Sequence, residues 1–200
     1  SDNTIFVFTS DNGPTHGTHE GLAGTDSIFF NSHGGLRDGK GSLYEGGMRV
    51  PTIVRWPAQV APGTSSPVVS GFEDWLPTFA SVADVSDTVH DVNGIDILPT
   101  LVGKKQVARD LLYREFPSYR GQQTIRVGEW KAVRQNLMPP KGTEVVIKTE
   151  LYHVATDITE SHDVAAKHPE LVAHLEKLMR EHRTPSDEFP FPTLDLESVK

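Results

Sequence analysis

The sequence predicts an α/β fold: part of a mixed sheet, then a small α+β subdomain with an antiparallel sheet and a C-terminal helix. Three observations carry that expectation. Residues 4–9, TIFVFT, are almost continuously apolar and β-prone, as in a strand of a parallel sheet covered on both faces. After about residue 105 the pattern shortens to LLYREF (111–116), QTIRVGEWKAVRQ (123–135) and TELYHVATD (149–157), which read as antiparallel strands. Residues 169–183 then take up a helical period. The expected division is an α/β part over 1–104 and a small α+β subdomain over 105–200.

Each element has its own signal. TIFVFT ends at SDNGP, where Asn12-Gly13-Pro14 must turn, and polar residues past the carboxyl end of such a strand are where open α/β sheets bind ligands. Residues 13–50 form a long connection holding ten of the 17 glycines, with Leu22, Ile28, Phe29, Phe30, Leu36, Leu43, Tyr44 and Met48 as candidate anchors. A connection of that length without structure is uncommon and usually functional or disordered. TIVRW (52–56) is a second strand, and APGTSSP (61–67) a loop. Asp74 is placed to cap WLPTFASVAD, with Leu76, Phe79, Ala80 and Ala83 on one helical face. NGIDILPTLVG (93–103) is a turn and a short apolar segment. In the last helix Pro169 opens the first turn, Leu171, Val172, Leu175, Leu178 and Met179 make the stripe, and Arg180, His182 and Arg183 suit the C-terminal dipole. The tail TPSDEFPFPTLDLESVK is expected to be extended.

Composition excludes several classes. The 200 residues include no cysteine, which removes disulfides, thiolate metal sites and a cysteine nucleophile within the chain. A net charge of -8, from 19 basic and 27 acidic residues, argues against nonspecific nucleic-acid binding. A local basic cluster could still oppose that field for a small anion. No run of 18 apolar residues occurs, so no spanning helix is expected. Ser1 leads straight into a strand-like run, an abrupt start that raises the expectation of a preceding, absent N-terminal part.

Three groups could carry chemistry. Asp11 beside Asn12 offers a carboxylate and an amide carbonyl, hard oxygens suited to Ca2+ or Mg2+. The same residues could equally hold the bend as an Asx-turn. Ca2+ takes about 6–8 oxygens, so a metal here would need other ligands. Lys40 lies between Gly39 and Gly41, where a backbone can approach an anion closely. The string Gly34-x4-Gly39-Lys40-Gly41-Ser42 nearly matches a P-loop, but Gly41 stands where Ser or Thr should be, and SLYEGGMRVP, with its glycine pair and proline, predicts no following helix. A solvated surface lysine is the alternative. Glu45 and Arg49 read as structural. His16, His19 and His33 are candidate substrate contacts or solvated loop histidines. No nucleophile elbow, HExxH or EF-hand loop occurs.

The ordered set TSDNGP, GGLRDGKGSLYEGGMRVP, TIVRWP, EDWLPTFASVA, NGIDILPTLVG, RVGEWKAV and ELYHVATDITESHDVA resembles the C-terminal portion of the sulfatases, arylsulfatase-like members of the alkaline-phosphatase superfamily. The likeness covers nearly the whole chain. It implies a partial alkaline-phosphatase-like mixed sheet, Asp11 and Asn12 as ligands of a divalent cation, usually Ca2+ with Mg2+ possible, and Lys40 as the contact to the sulfate group. It implies a formylglycine nucleophile, two more acidic ligands, another lysine and further histidines upstream of this chain, so that the chain alone would be inactive. Its implied partners are a sulfate ester and the N-terminal part of the same polypeptide, with periplasmic or secreted localisation. Ile158 stands where many members have proline, which touches a turn and not the chemistry. A phosphodiesterase or phosphonate hydrolase of the same superfamily, and a non-catalytic module of the same fold, are the alternatives.

Overall fold

The computed structural model describes residues 2–15, 29–138, 140, 142–144 and 146–195. In chain order the elements are β1 (Phe6–Thr9), α1 (Glu45–Met48), β2 (Thr52–Arg55), α2 (Trp75–Val82), α3 (Leu98–Leu101), β3 (Leu112–Phe116), β4 (Gln122–Val127), β5 (Trp130–Arg134), β6 (Thr149–His153), α4 (Pro169–Glu181) and α5 (Pro192–Asp195). Internal contacts divide the chain into two units, Ser1–Thr9 with Pro51–Arg109, and Ser10–Val50 with Asp110–Lys200. In this division the glycine-rich connection groups with the C-terminal half. Leu43, Tyr44 and Glu45 explain this, because all three are buried and their hydrogen-bond and ion-pair partners come from β4, β5, β6 and Glu160.

The first unit pairs β1 with β2 as an antiparallel ladder, Phe6 opposite Arg55 and Thr9 opposite Thr52. A strand buried on both faces is not what the described residues form. Phe6 and Phe8 remain 59% and 56% exposed, because no described element covers that face of the two strands. The helix α2 also departs from expectation. Leu76 and Phe79, placed on the core face by periodicity, are exposed, while Thr78 and Ala80 are buried. Nor does the Asp74 side chain cap α2. Its carboxylate accepts the Gly71 and Ile95 N–H groups at 2.7 and 2.8 Å and pairs with Arg109. Thr78 extends the knot, donating to the Asp74 carbonyl and accepting from the Ile97 N–H. Buried polar atoms, satisfied by backbone, thus hold segment 94–97 against α2.

The second unit is a four-stranded antiparallel sheet in the order β3-β4-β5-β6. Its register places Tyr113, Ile125, Ala132 and Leu151 in one row across the strands. That row faces α4, whose Leu175 and Met179 are fully buried against it, with Leu171, Val172 and Leu178 at the margin. The stripe read from sequence is the observed one, and Pro169 opens the helix where its missing N–H is harmless. Side chains alternate along a strand, so Lys131, Val133 and Tyr152 point to the other face. There Tyr44 joins Val133, Tyr152 and Val154 in a second cluster. Covering on both faces explains why β4 and β5 are buried along most of their length. The C-terminal tail is not extended throughout. It forms α5, and Phe191 and Leu194 bury themselves with Leu137.

Leu175 fills the centre of the α4–sheet contact. Leu175→Ala should destabilise the protein by about 2–5 kcal/mol through lost transfer energy and a residual cavity. Urea unfolding monitored by circular dichroism reads this, and an unchanged midpoint would contradict the packing.

Candidate functional site

The turn after β1 and the loop around Lys40 belong to the same unit and meet backbone to backbone. The Gly13 N–H donates to the Gly47 carbonyl at 2.9 Å, and the Lys40 N–H donates to the Pro14 carbonyl at 2.7 Å. Asp11 is exposed and Asn12 half-buried, with the Ser10 hydroxyl donating to the Asn12 carbonyl at 2.9 Å. Lys40 is exposed. His33 lies on the same loop, half-buried, its Nδ1 shut from water without a hydrogen-bond partner among the described residues. His16 and His19 lie outside the described residues.

Glycine at this junction serves close backbone packing. A Cβ on Gly13 would stand 1.8 Å from the Gly46 carbonyl oxygen, one on Gly46 2.3 Å from those of Arg37 and Asp38, and one on Gly47 2.1 Å from that of Ser42. None of these oxygens can move aside, since each belongs to main chain. The pair Gly46-Gly47 does not prevent a helix, as had been expected. It sits inside the single turn of α1, which runs directly after the Lys40 loop. Four residues make only one turn, so the P-loop architecture is still absent.

The loop is fastened to the sheet by charge. Lys131 on β5 has no solvent exposure, and its ammonium lies 2.9 Å from Glu45 Oε1 and 2.7 Å from Glu160 Oε1. The Glu45 N–H donates to Glu160 Oε2 at 2.6 Å, which closes the triad through the first residue of α1. Burial pushes both carboxyls up and Lys131 pulls both down. The balance lies below the ordinary carboxylate range at Glu45, where Arg126 and Arg49 add to Lys131, and above it at Glu160, where Glu45 repels. The i,i+4 ion pair of Glu45 with Arg49 is present at 3.4 Å but is secondary.

A second clamp stands beside it. The Arg37 guanidinium lies 3.7 Å from the centre of the Tyr44 ring and donates to the Tyr152 hydroxyl at 2.7 Å and the Glu160 carbonyl at 3.0 Å. Tyr44 and Tyr152 both donate to Glu150, and burial together with that carboxylate raises both phenol pKa values. These phenols stay neutral and serve as donors. Sequence reading gave Glu45 a structural role without its main partner, and it passed over Lys131 and Glu160. A lysine at an inward position of a strand, WKAVR, was the available signal.

Among the described residues no three His, Cys, Asp or Glu side chains converge into a metal-holding group. A metal at Asp11 and Asn12 would need further ligands from outside the described residues.

Comparison with known proteins finds sulfatases among the relatives of this chain. Residues 1–85 match the family model described as Sulfatase. An N-acetylgalactosamine-6-O-sulfatase of Bacteroides thetaiotaomicron is 33% identical over 92% of this chain and 37% of its own length. Human arylsulfatase A is 37% identical over 64% of this chain and 24% of its own length. A solved structure from work on glycosaminoglycan metabolism by Bacteroides thetaiotaomicron superposes with a TM-score of 0.70 at 30% identity, covering 90% of this chain and 38% of that one. The chain belongs to the sulfatase family, and it spans roughly a third of the length of the relatives it matches.

Replacing Lys131 by methionine leaves two buried carboxylates facing each other, which should cost about 3–5 kcal/mol at neutral pH. The loss should shrink on acidification towards about pH 5, because each unpaired carboxyl then has a folded pKa above its unfolded one, and protonation removes its penalty. Urea midpoints of Lys131→Met at the two pH values test this. An equal deficit at both would mean that the triad does not carry the charge described.

Proposed function

We propose that this chain is the distal, anion- and metal-binding part of a sulfuric ester hydrolase, with a formylglycine nucleophile in sequence that precedes it. The observation that supports this reading is the hydrogen bond from the Lys40 N–H to the Pro14 carbonyl, which joins the Asp11-Asn12 turn to the Lys40 loop. An ammonium and a pair of hard oxygen donors are thereby carried on one backbone junction, and both Lys40 and Asp11 are exposed to an incoming ligand.

Asp11 and Asn12 would hold Ca2+ or Mg2+ together with ligands from outside the described residues. When bound, the ion would neutralise sulfate oxygens and orient the ester. The Lys40 ammonium would stabilise charge on the sulfuryl or leaving oxygen as the S–O bond breaks. His16, His19 and His33 would contact substrate around that group. Attack on sulfur, forming a covalent sulfated enzyme, falls to the upstream nucleophile. This chain contributes electrostatics and positioning.

Calorimetry tests the metal reading. Ca2+ at about a hundred times its dissociation constant should stabilise the full-length protein by about 2.7 kcal/mol, and Asp11→Ala should abolish the rise in Tm. No Ca2+ or Mg2+ response in the wild type would refute it. In the full-length protein Lys40→Ala should lower kcat for sulfate esters by about 100- to 1000-fold. The 200-residue chain alone should not turn over, and hydrolysis by it at the rate of the full enzyme would overturn the division of labour.

A further inference from the structure

An aromatic side chain that no sequence signal singled out stands beside the Lys40 loop. Tyr119 lies in the turn between β3 and β4, and its ring rests on Gly41, the residue after Lys40. A Cβ on Gly41 would lie 2.7 Å from the Tyr119 ring carbons Cε2 and Cζ, and Gly41 has a φ of +89°. The backbone conformation demands glycine there, and the ring lies where a side chain on residue 41 would begin. The Gln122 side chain fixes the same stretch, donating to the Gly41 carbonyl at 2.7 Å and accepting the Leu43 N–H at 3.0 Å.

The ring is held firmly and yet left open. It stacks on Phe116 with centroids 5.9 Å apart and planes inclined by 28°. Tyr119, Arg120 and Gly121 have φ values of 52°, 69° and 75°, three successive left-handed residues. Such a conformation costs on the order of 1–3 kcal/mol per non-glycine residue, so surrounding structure must impose it. Here the Arg120 and Gly121 carbonyls accept the Met138 and Leu137 N–H groups at 2.6 and 3.1 Å. Despite this support Tyr119 remains 63% exposed. A contiguous line of contacts therefore runs from the Asp11-Asn12 turn through Pro14, Lys40 and Gly41 to an open aromatic surface.

We infer that Tyr119 is a platform for the leaving group, stacking against a six-membered ring that carries the sulfate, either an aryl ring or the apolar face of a pyranose. This rests on the reading of Lys40 as the sulfate contact. A ring joined to the ester oxygen directly, as in an aryl sulfate, or through one methylene, as in a 6-sulfated hexosamine, would come within reach of an aromatic beside the Lys40 loop, and stacking contributes binding without taking part in S–O cleavage. Tyr119 is thus a specificity residue.

The test uses the full-length protein and three substrates: 4-nitrophenyl sulfate, a 6-sulfated N-acetylhexosamine and n-butyl sulfate. Tyr119→Ala should lower kcat/KM about 3- to 10-fold for at least one ring-bearing ester, through KM, and leave the alkyl ester unchanged. Tyr119→Trp should retain activity on the ring-bearing esters. Which ring ester responds identifies the source of the ring. An equal fall for all three substrates, appearing in kcat, would mean that Tyr119 only supports the Lys40 loop, and no change on any would mean that it contacts nothing; either overturns the inference. A wild-type protein that hydrolyses none of the three refutes the sulfatase reading itself, and the inference falls with it.

Discussion

A lysine ammonium shut away from water between two carboxylates organises the larger unit. Lys131 lies on the inner strand β5 and faces away from the helix-covered side of the sheet, where an ammonium without partners would be costly to bury. Glu45 and Glu160 neutralise it, and Glu45 is the first residue of α1, the turn that follows the Lys40 loop. Desolvating three charges makes this a weak source of net stability, but it specifies one arrangement. A loop displaced from the sheet would leave a buried charge unpaired. That constraint fixes where Gly46 and Gly47 lie, hence where Gly13 can dock and where the Asp11-Asn12 turn stands relative to Lys40.

The aromatic and cationic contacts around the triad make the fastening two-sided. Arg37 covers Tyr44 and reaches Tyr152 and the Glu160 carbonyl, so the loop is pinned both before and after Lys40. Lys40 itself is spared from this network and stays exposed. The Lys40 backbone is held by its neighbours while its side chain stays exposed, which is what the proposed anion contact would require. Preorganisation of this kind lets an electrostatic contact act without reorganising at the moment of reaction.

The glycines and the core residues differ in how far they could be read. The concentration of glycine between residues 13 and 47 marked a stretch of close approach, but its partner is mostly other main chain, since Gly13, Gly46 and Gly47 each stand against a carbonyl oxygen. Leu175 and Met179 were legible because a helix packed on one sheet face leaves a period of 3.6 in the sequence. Leu76 and Phe79 show the same period and are exposed, because periodicity records an apolar face and not what covers it. Phe191 and Leu194 escaped notice, as two apolar residues in a proline-rich tail make no period.

By itself the sequence determined the element types of the antiparallel sheet and the long helix, the ordered motifs of a sulfatase, and the residues on which metal and sulfate binding are proposed. These are local or pattern properties, written in spacing and residue type. Tertiary structure alone decided that the Lys40 loop packs with the C-terminal sheet, that Lys131 and Glu160 hold it through Glu45, and that Tyr119 rests on Gly41. Those contacts join residues about 80 to 115 positions apart. No local propensity encodes such distances, and only a closed fold, with its buried charges satisfied, selects them.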